Sequence, residues 1–189
     1  MLSMEGFFMK NKKRIYYICM FALFAAVMTV CSQIYFPLPF TAVPVNLGLF
    51  GVAITGGILG KWGGSASIGI YVLMGLVGLP VFAKFNGGPS ALFGATGGYI
   101  FGYIIAAFII GFFVQKFKNK WYFNVLGMVL GFSMCYLFGT LWYMGISKTP
   151  LIPALMGCVV PFLPGDALKI ALATVIIGKL RKILPDYAK

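Results

Sequence analysis

No charged residue interrupts the chain from Ile15 to Gly60, from Trp62 to Ala83, from Phe85 to Gln115 or from Trp121 to Ser147. A helix that crosses a bilayer needs about 20 mostly apolar residues. The first run is long enough for two spans and a turn, and each of the others holds one with loop to spare. The pattern predicts an all-α polytopic integral membrane protein of six transmembrane helices. They run from about Ile15 to Tyr35, Val45 to Gly60, Gly63 to Pro80, Gly97 to Gln115, Trp121 to Gly145 and Pro164 to Lys182, with Lys61 marking a tight turn. The stretch from Phe36 to Pro44 holds three prolines, which remove donors and push the preceding residues toward extended backbone, so it is not helical throughout. Residues 81–96 form a Gly-rich structured loop between the third and fourth helices. A Pro-rich segment with Pro150, Pro153, Pro161 and Pro164 leads into the sixth.

Composition excludes the two other broad classes. The chain is 61% hydrophobic and 10% charged over 189 residues. A soluble domain carries roughly 25% charged residues, and disorder requires low hydrophobicity. The net charge of +12 would suggest nucleic acid in a soluble protein. Here the basic residues fall in short clusters between apolar runs, as cytoplasmic loops of membrane proteins do. With the N-terminus inside, twelve Lys and Arg lie on the inner side, and only Lys84 and Lys148 lie outside. Both termini are therefore expected in the cytoplasm. Residues 1–14 form an N-terminal segment, 15–182 the membrane domain and 183–189 a tail. The first apolar run is too long for the h-region of a signal peptide and is kept as a span. Cys19, Cys31, Cys135 and Cys158 lack metal spacing and read as small hydrophobes.

Candidate chemistry is sparse. Of the three acids, Glu5 and Asp186 fall in the terminal segments, and only Asp166 lies near membrane depth. An ionisable residue in a span costs roughly 2.5–3.5 kcal/mol at a helix centre, so it usually has a function or a partner. Lys169 is three residues on, on the same helix face. Two readings stand: a helix cap with its ion-pair partner, or a polar pair facing a cavity open to the outside. The loop from Lys84 to Thr96 is either a lid or a plain connector. Within it, Asn86 offers donors and an acceptor, and Gly87 with Gly88 permits close backbone approach. Tyr99 and Tyr103 share a face of the fourth helix and either line a cavity or join an interfacial belt. Gln33 and Asn46 are polar side chains near the outer ends of the first two helices. Histidine is absent, which removes zinc motifs and Ser-His-Asp triads. Thr55-Gly-Gly-Ile-Leu-Gly-Lys61-Trp62 fails as a P-loop, with Thr for the first Gly and Trp where Ser or Thr must bind magnesium. Ala22-x-x-x-Ala26 and Gly127-x-x-x-Gly131 present small-residue faces for close helix contact, the first suited to an external partner and the second to internal packing.

Several stretches together resemble the biotin-binding S components of energy-coupling-factor (ECF) vitamin transporters, the BioY family. They are Ala22-Leu-Phe-Ala-Ala26, Phe36-Pro-Leu-Pro-Phe40, Val43-Pro-Val45, the segment from Tyr71 to Phe82, Gly94-Ala-Thr-Gly-Gly-Tyr99 and Pro164-Gly-Asp-Ala-Leu-Lys169. The resemblance covers nearly the whole chain. It implies a membrane subunit, not an enzyme, that captures biotin from outside in the plasma membrane of a prokaryote. It implies a membrane coupling protein and two cytoplasmic ATPases as partners, docking at Ala22 and Ala26, and no cofactor. Asp166, Lys169, Asn86 and Tyr99 match the family's polar pair and pocket, and Gly87 and Gln33 complete the expected ligand-binding set. In that reading Asp166 and Asn86 meet the ureido ring of biotin, and Lys169 either meets its carboxylate or only neutralises Asp166. The rival readings are a proton-coupled secondary carrier, a membrane enzyme, and an S component for a different vitamin.

Overall fold

The computed structural model describes residues 2–36 and 44–183, with backbone alone for 2–13. The backbone at Glu5 is helical rather than a separate tail, while Asp186, the tail after residue 183 and the turn through Pro37 and Pro39 lie outside the described residues. The molecule is a bundle of long helices with short irregular connections. Helix α1 spans Leu2–Gln33, beginning well before the expected Ile15, and its apolar window covers Arg14–Gln33. It ends two residues before the expected Tyr35. Tyr35–Phe36 (β1) instead pairs antiparallel with Val45–Asn46 (β2), in the register Tyr35↔Asn46 and Phe36↔Val45. The reason is local: Phe36 precedes Pro37, whose ring clashes with a helical predecessor. The same ribbon claims Val45 and Asn46, so the second predicted helix starts late.

That helix and the third are the two arms of α2, Gly48–Leu76, which breaks at Gly60. Gly60 has φ 77°, a conformation only glycine adopts without strain. The chain folds back there. A Cβ on Gly64 would sit 2.7 Å from the Cα of Gly56, so the two arms touch backbone to backbone. The turn expected at Lys61 is thus displaced by one residue. The connection that follows holds a 3₁₀ turn at Ala83–Phe85 and the short helix α3, Pro89–Leu92. Helices α4 (Gly97–Lys116) and α5 (Trp121–Ser147) match the expected bounds within two residues. The Pro-rich segment carries a helix that was not expected, α6 (Leu151–Cys158), and a 3₁₀ turn at Val160–Phe162, before α7 (Leu163–Ile183).

Helix α4 is the centre of the bundle, packed along α2 on one side and α5 on the other, while α7 closes against α2 and α5. Helix α1 packs chiefly on α2. Among the described residues, four segments are long and apolar enough to cross a membrane: Arg14–Gln33, Gly97–Lys116, Trp121–Ser147 and Leu151–Ile183. The outward faces carry Leu23, Val30, Leu73, Leu137, Leu141, Leu172 and Val175, all exposed. So extensive an apolar surface suits lipid, not water. The protein is a multi-pass α-helical membrane protein.

The two ends of the bundle differ. At one, the Gly60 elbow meets the last turn of α4, where Gln115 Oε1 accepts the N–H of Lys61 (3.2 Å). Gly57 there packs against Ile177 of α7. This end gathers Lys61, Lys116, Lys118, Lys120, Lys179 and Lys182. The other end carries Lys84, Lys148 and a cavity.

Candidate ligand cavity

The cavity lies among the ends of α2, α4, α5 and α7 and encloses about 190 Å³. Its walls are mostly aromatic. Tyr71 comes from the second arm of α2, Tyr99 and Tyr103 from the first turns of α4, Tyr136 from α5, and Phe162 from the turn before α7. Phe82, Ala83, Lys84 and Asn86 contribute from the loop after α2, and Asn46 from β2. Tyr99 and Tyr103 are thus cavity residues, buried on α4 rather than part of an exposed belt.

Each buried hydroxyl has a reason to sit where it does. Tyr71 Oη and Ser32 Oγ share a hydrogen bond of 2.8 Å, and the Tyr71 ring meets Phe82 edge to face at 5.4 Å. Tyr99 Oη lies 3.4 Å from both Thr140 Oγ1 and the Cys158 carbonyl, to which it donates. Tyr103 reaches the Asn46 side chain across Gly48. A Cβ on Gly48 would fall 2.6 Å from the Tyr103 hydroxyl and 2.8 Å from Asn46 Oδ1, so only glycine fits between them.

Lys169 forms the buried charged part of the wall, whereas Lys84 is exposed. Lys169 is 6% exposed and lines the cavity from the second turn of α7. Its Nζ donates to Asp166 Oδ1 at 2.7 Å. Asp166 Oδ2 accepts the hydroxyl of Tyr136, which itself lines the cavity. Both carboxylate oxygens therefore bond side chains, and the i, i+3 pair is neutral as a unit. An ammonium has three donors and Asp166 takes one. The arrangement offers a solute hydrogen-bond donors beside a fixed positive charge, with aromatic faces for an apolar body.

The predicted set divides on this geometry. Lys169, Asn86 and Tyr99 share the cavity wall. Asp166 is buried one layer behind it, joined to the wall through Lys169 and Tyr136. Gly87 lies against the carbonyl of Leu79, and its N–H donates to Asn86 Oδ1 at 3.0 Å, so it shapes the rim from behind. Gln33 also stands behind the loop, bonded to its backbone. Ala22 and Ala26 are exposed on α1 and do not line the cavity. The sequence reading did not single out Tyr71 or Tyr136. Their signal was present: a tyrosine inside an apolar run buries a hydroxyl that needs a partner.

These features define a polytopic helical membrane protein with a solute-sized, polar-rimmed cavity at one end. The sequence profile of the BioY family matches residues 9–186. The biotin transporter BioY of Lactococcus lactis subsp. cremoris is 36% identical over 151 residues, covering 77% of this chain and 79% of that protein. The biotin transporter BioY of Thermotoga maritima is 36% identical over 162 residues, covering 85% and 93%. Among solved structures, the S-component for biotin from an ECF-type ABC transporter superposes with a TM-score of 0.85 at 31% identity, covering 91% of this chain and 94% of that one. The chain belongs to the BioY family.

Proposed function

We propose that this chain is the substrate-binding membrane subunit that captures biotin from the outside for ATP-driven import. The observation that carries the proposal is the buried ammonium of Lys169 in an aromatic cavity rimmed by amides, in a member of the BioY family. Biotin has a ureido ring with two donors and a carbonyl, an apolar bicycle and an anionic tail. Asn86 can both donate to and accept from the ureido group. The rings of Tyr71, Tyr99 and Tyr103 suit the bicycle, and Lys169 suits the carboxylate, with Asp166 and Tyr136 holding the ammonium in place. Gly87 and Gln33 support the rim rather than touching the ligand. Biotin is cargo, and no cofactor takes part.

Six segments cross the membrane in this reading: α1, the two arms of α2, α4, α5 and α7. The elbow end, rich in Lys, faces the cytoplasm with both termini, and the cavity opens outside. The membrane is the plasma membrane of a prokaryote. ATP hydrolysis falls to two separate ATPase subunits, reached through an ECF coupling protein that docks on the Ala22 and Ala26 face of α1, and the failed P-loop match at Thr55–Trp62 agrees with that division of labour.

The test is direct. Purified and freed of any co-purifying solute, the chain should bind biotin in a titration. Uptake into liposomes should require the coupling protein, the ATPases and ATP. Uptake by the chain alone under a proton gradient would replace the proposal with a secondary carrier. Preference for another vitamin would change the cargo.

A further inference from the structure

Three hydrogen bonds converge on one side-chain amide at the end of α1. Gln33 Nε2 donates to the carbonyls of Pro80 (3.1 Å) and Phe82 (3.0 Å), and Gln33 Oε1 accepts the N–H of Phe85 (3.0 Å). Both N–H donors are used, and the orientation of the amide is set by its partners. The segment it grips is unusual. Lys84 (φ 64°) and Phe85 (φ 53°) are adjacent non-glycine residues in the left-handed region. L-residues enter that region at an energetic cost and stay only where their surroundings hold them. Burial of the Phe85 ring does not hold it, since the residue is 72% exposed. Within the loop, Phe82 and Asn86 exchange backbone hydrogen bonds of 3.0 and 3.2 Å and close a tight turn around the strained pair. The Phe82 ring packs on Tyr71, and the hydrogen bonds from outside that reach the strained part of the turn come from Gln33, roughly fifty residues away in sequence. The gripped turn contributes Phe82, Ala83, Lys84 and Asn86 to the cavity wall.

We infer that Gln33 is a latch. It holds residues 80–86 in the left-handed turn that closes the cavity, and release of its three hydrogen bonds opens the path by which a solute enters and leaves. Gln33 is thus a positioning residue that acts through the loop and does not touch the ligand. The inference rests on the reading of the cavity as a biotin site, and its test separates the two.

The variant is Gln33→Met, which keeps the length and apolar volume of the side chain and removes all three hydrogen bonds. In lipid nanodiscs, radiolabelled biotin should leave the variant roughly tenfold faster than the wild type, and association should also speed up. In the ligand-free protein, amide hydrogen exchange across residues 82–86 should accelerate by a similar factor. Gln33→Glu keeps the acceptor for the Phe85 N–H but turns an anion toward two carbonyls, and it should behave like Gln33→Met. A folded Gln33→Met protein with unchanged exchange and unchanged rates overturns the latch. So does faster dissociation with unchanged association and unchanged exchange, the signature of a lost ligand contact. If neither variant folds, the wild-type Phe85 amide decides: protection without ligand supports the latch, and exchange at the unprotected rate overturns it. If wild-type protein does not bind biotin, the functional reading fails while the exchange measurement still decides the latch.

Discussion

The elbow end and the cavity end of the bundle are built from the same two helices, α2 and α4, and they are packed in opposite ways. At the elbow the closest contacts between helix backbones are made at glycines. Gly56 faces Gly64 across the two arms of α2, and Gly111 of α4 lies directly against Gly60. Backbones approach closely there, which is how helices associate in lipid without a hydrophobic driving force. At the other end the same helices present Tyr71, Tyr99 and Tyr103, with Leu49 beside them. Large rings keep the helices apart and leave space that no protein atom fills. A change in side-chain size along one helix pair therefore produces both a rigid base and a cavity. The charges differ as well: solvated lysines rim the elbow beside the buried Arg181, whereas the cavity end buries an ammonium against a carboxylate.

A large effect on stability is expected at the elbow. Gly111→Leu forces a side chain into the backbone of Gly60 and should destabilise the fold by about 3 kcal/mol, at the upper end for overpacking. Folded, monodisperse yield in detergent is the readout. Near-normal yield would show that the elbow is looser than its glycine contacts imply.

At the cavity end, Lys169→Met leaves Asp166 buried with Tyr136 as its remaining partner. Breaking a buried ion pair by removing one partner costs about 3–5 kcal/mol. Thermal stability should fall accordingly, and biotin binding should be lost. The double variant Asp166→Asn with Lys169→Met removes both charges. It should recover most of the stability and none of the binding. Recovery of binding in the double variant would show that the ammonium does not serve the ligand.

The smallest effect on binding should come from α1. Ala22→Leu and Ala26→Leu enlarge an exposed apolar face that does not line the cavity, so biotin affinity should stay within about twofold, as for surface changes that touch no special feature. ATP-dependent uptake should fall, because the added atoms block close approach of another helix. Loss of biotin affinity with normal assembly would instead make that face part of the internal packing.

Much of the fold was legible because membranes impose simple rules. Long uncharged runs marked α1, the two arms of α2, α4 and α5, and the isolated Lys61 marked the fold-back to within a residue of Gly60. Two misreadings had local causes that the chain itself displays. Pro37 ends the helical conformation before Tyr35, and β1 pairs with β2, which delays the start of α2. The helix α6 was hidden by Pro150 and Pro153, which read as breakers although proline is tolerated in the first turn of a helix. Asp166 and Lys169 were identifiable as a pair because three residues is a helical spacing.

Their division of labour was not legible. Periodicity puts two residues on one face but does not say which reaches a cavity. That depends on Tyr136, thirty residues away, whose hydroxyl takes the second oxygen of Asp166 and leaves Lys169 at the wall. Gln33 shows the same limit. Its place near the outer end of α1 was readable from hydropathy, while its partners Pro80, Phe82 and Phe85 were not. Hydropathy is a property of single residues and short windows, so sequence alone determined which segments span and where the charges gather. Hydrogen bonds between distant segments depend on how helices cross, so only the tertiary structure decided which polar groups form the cavity and which hold it closed.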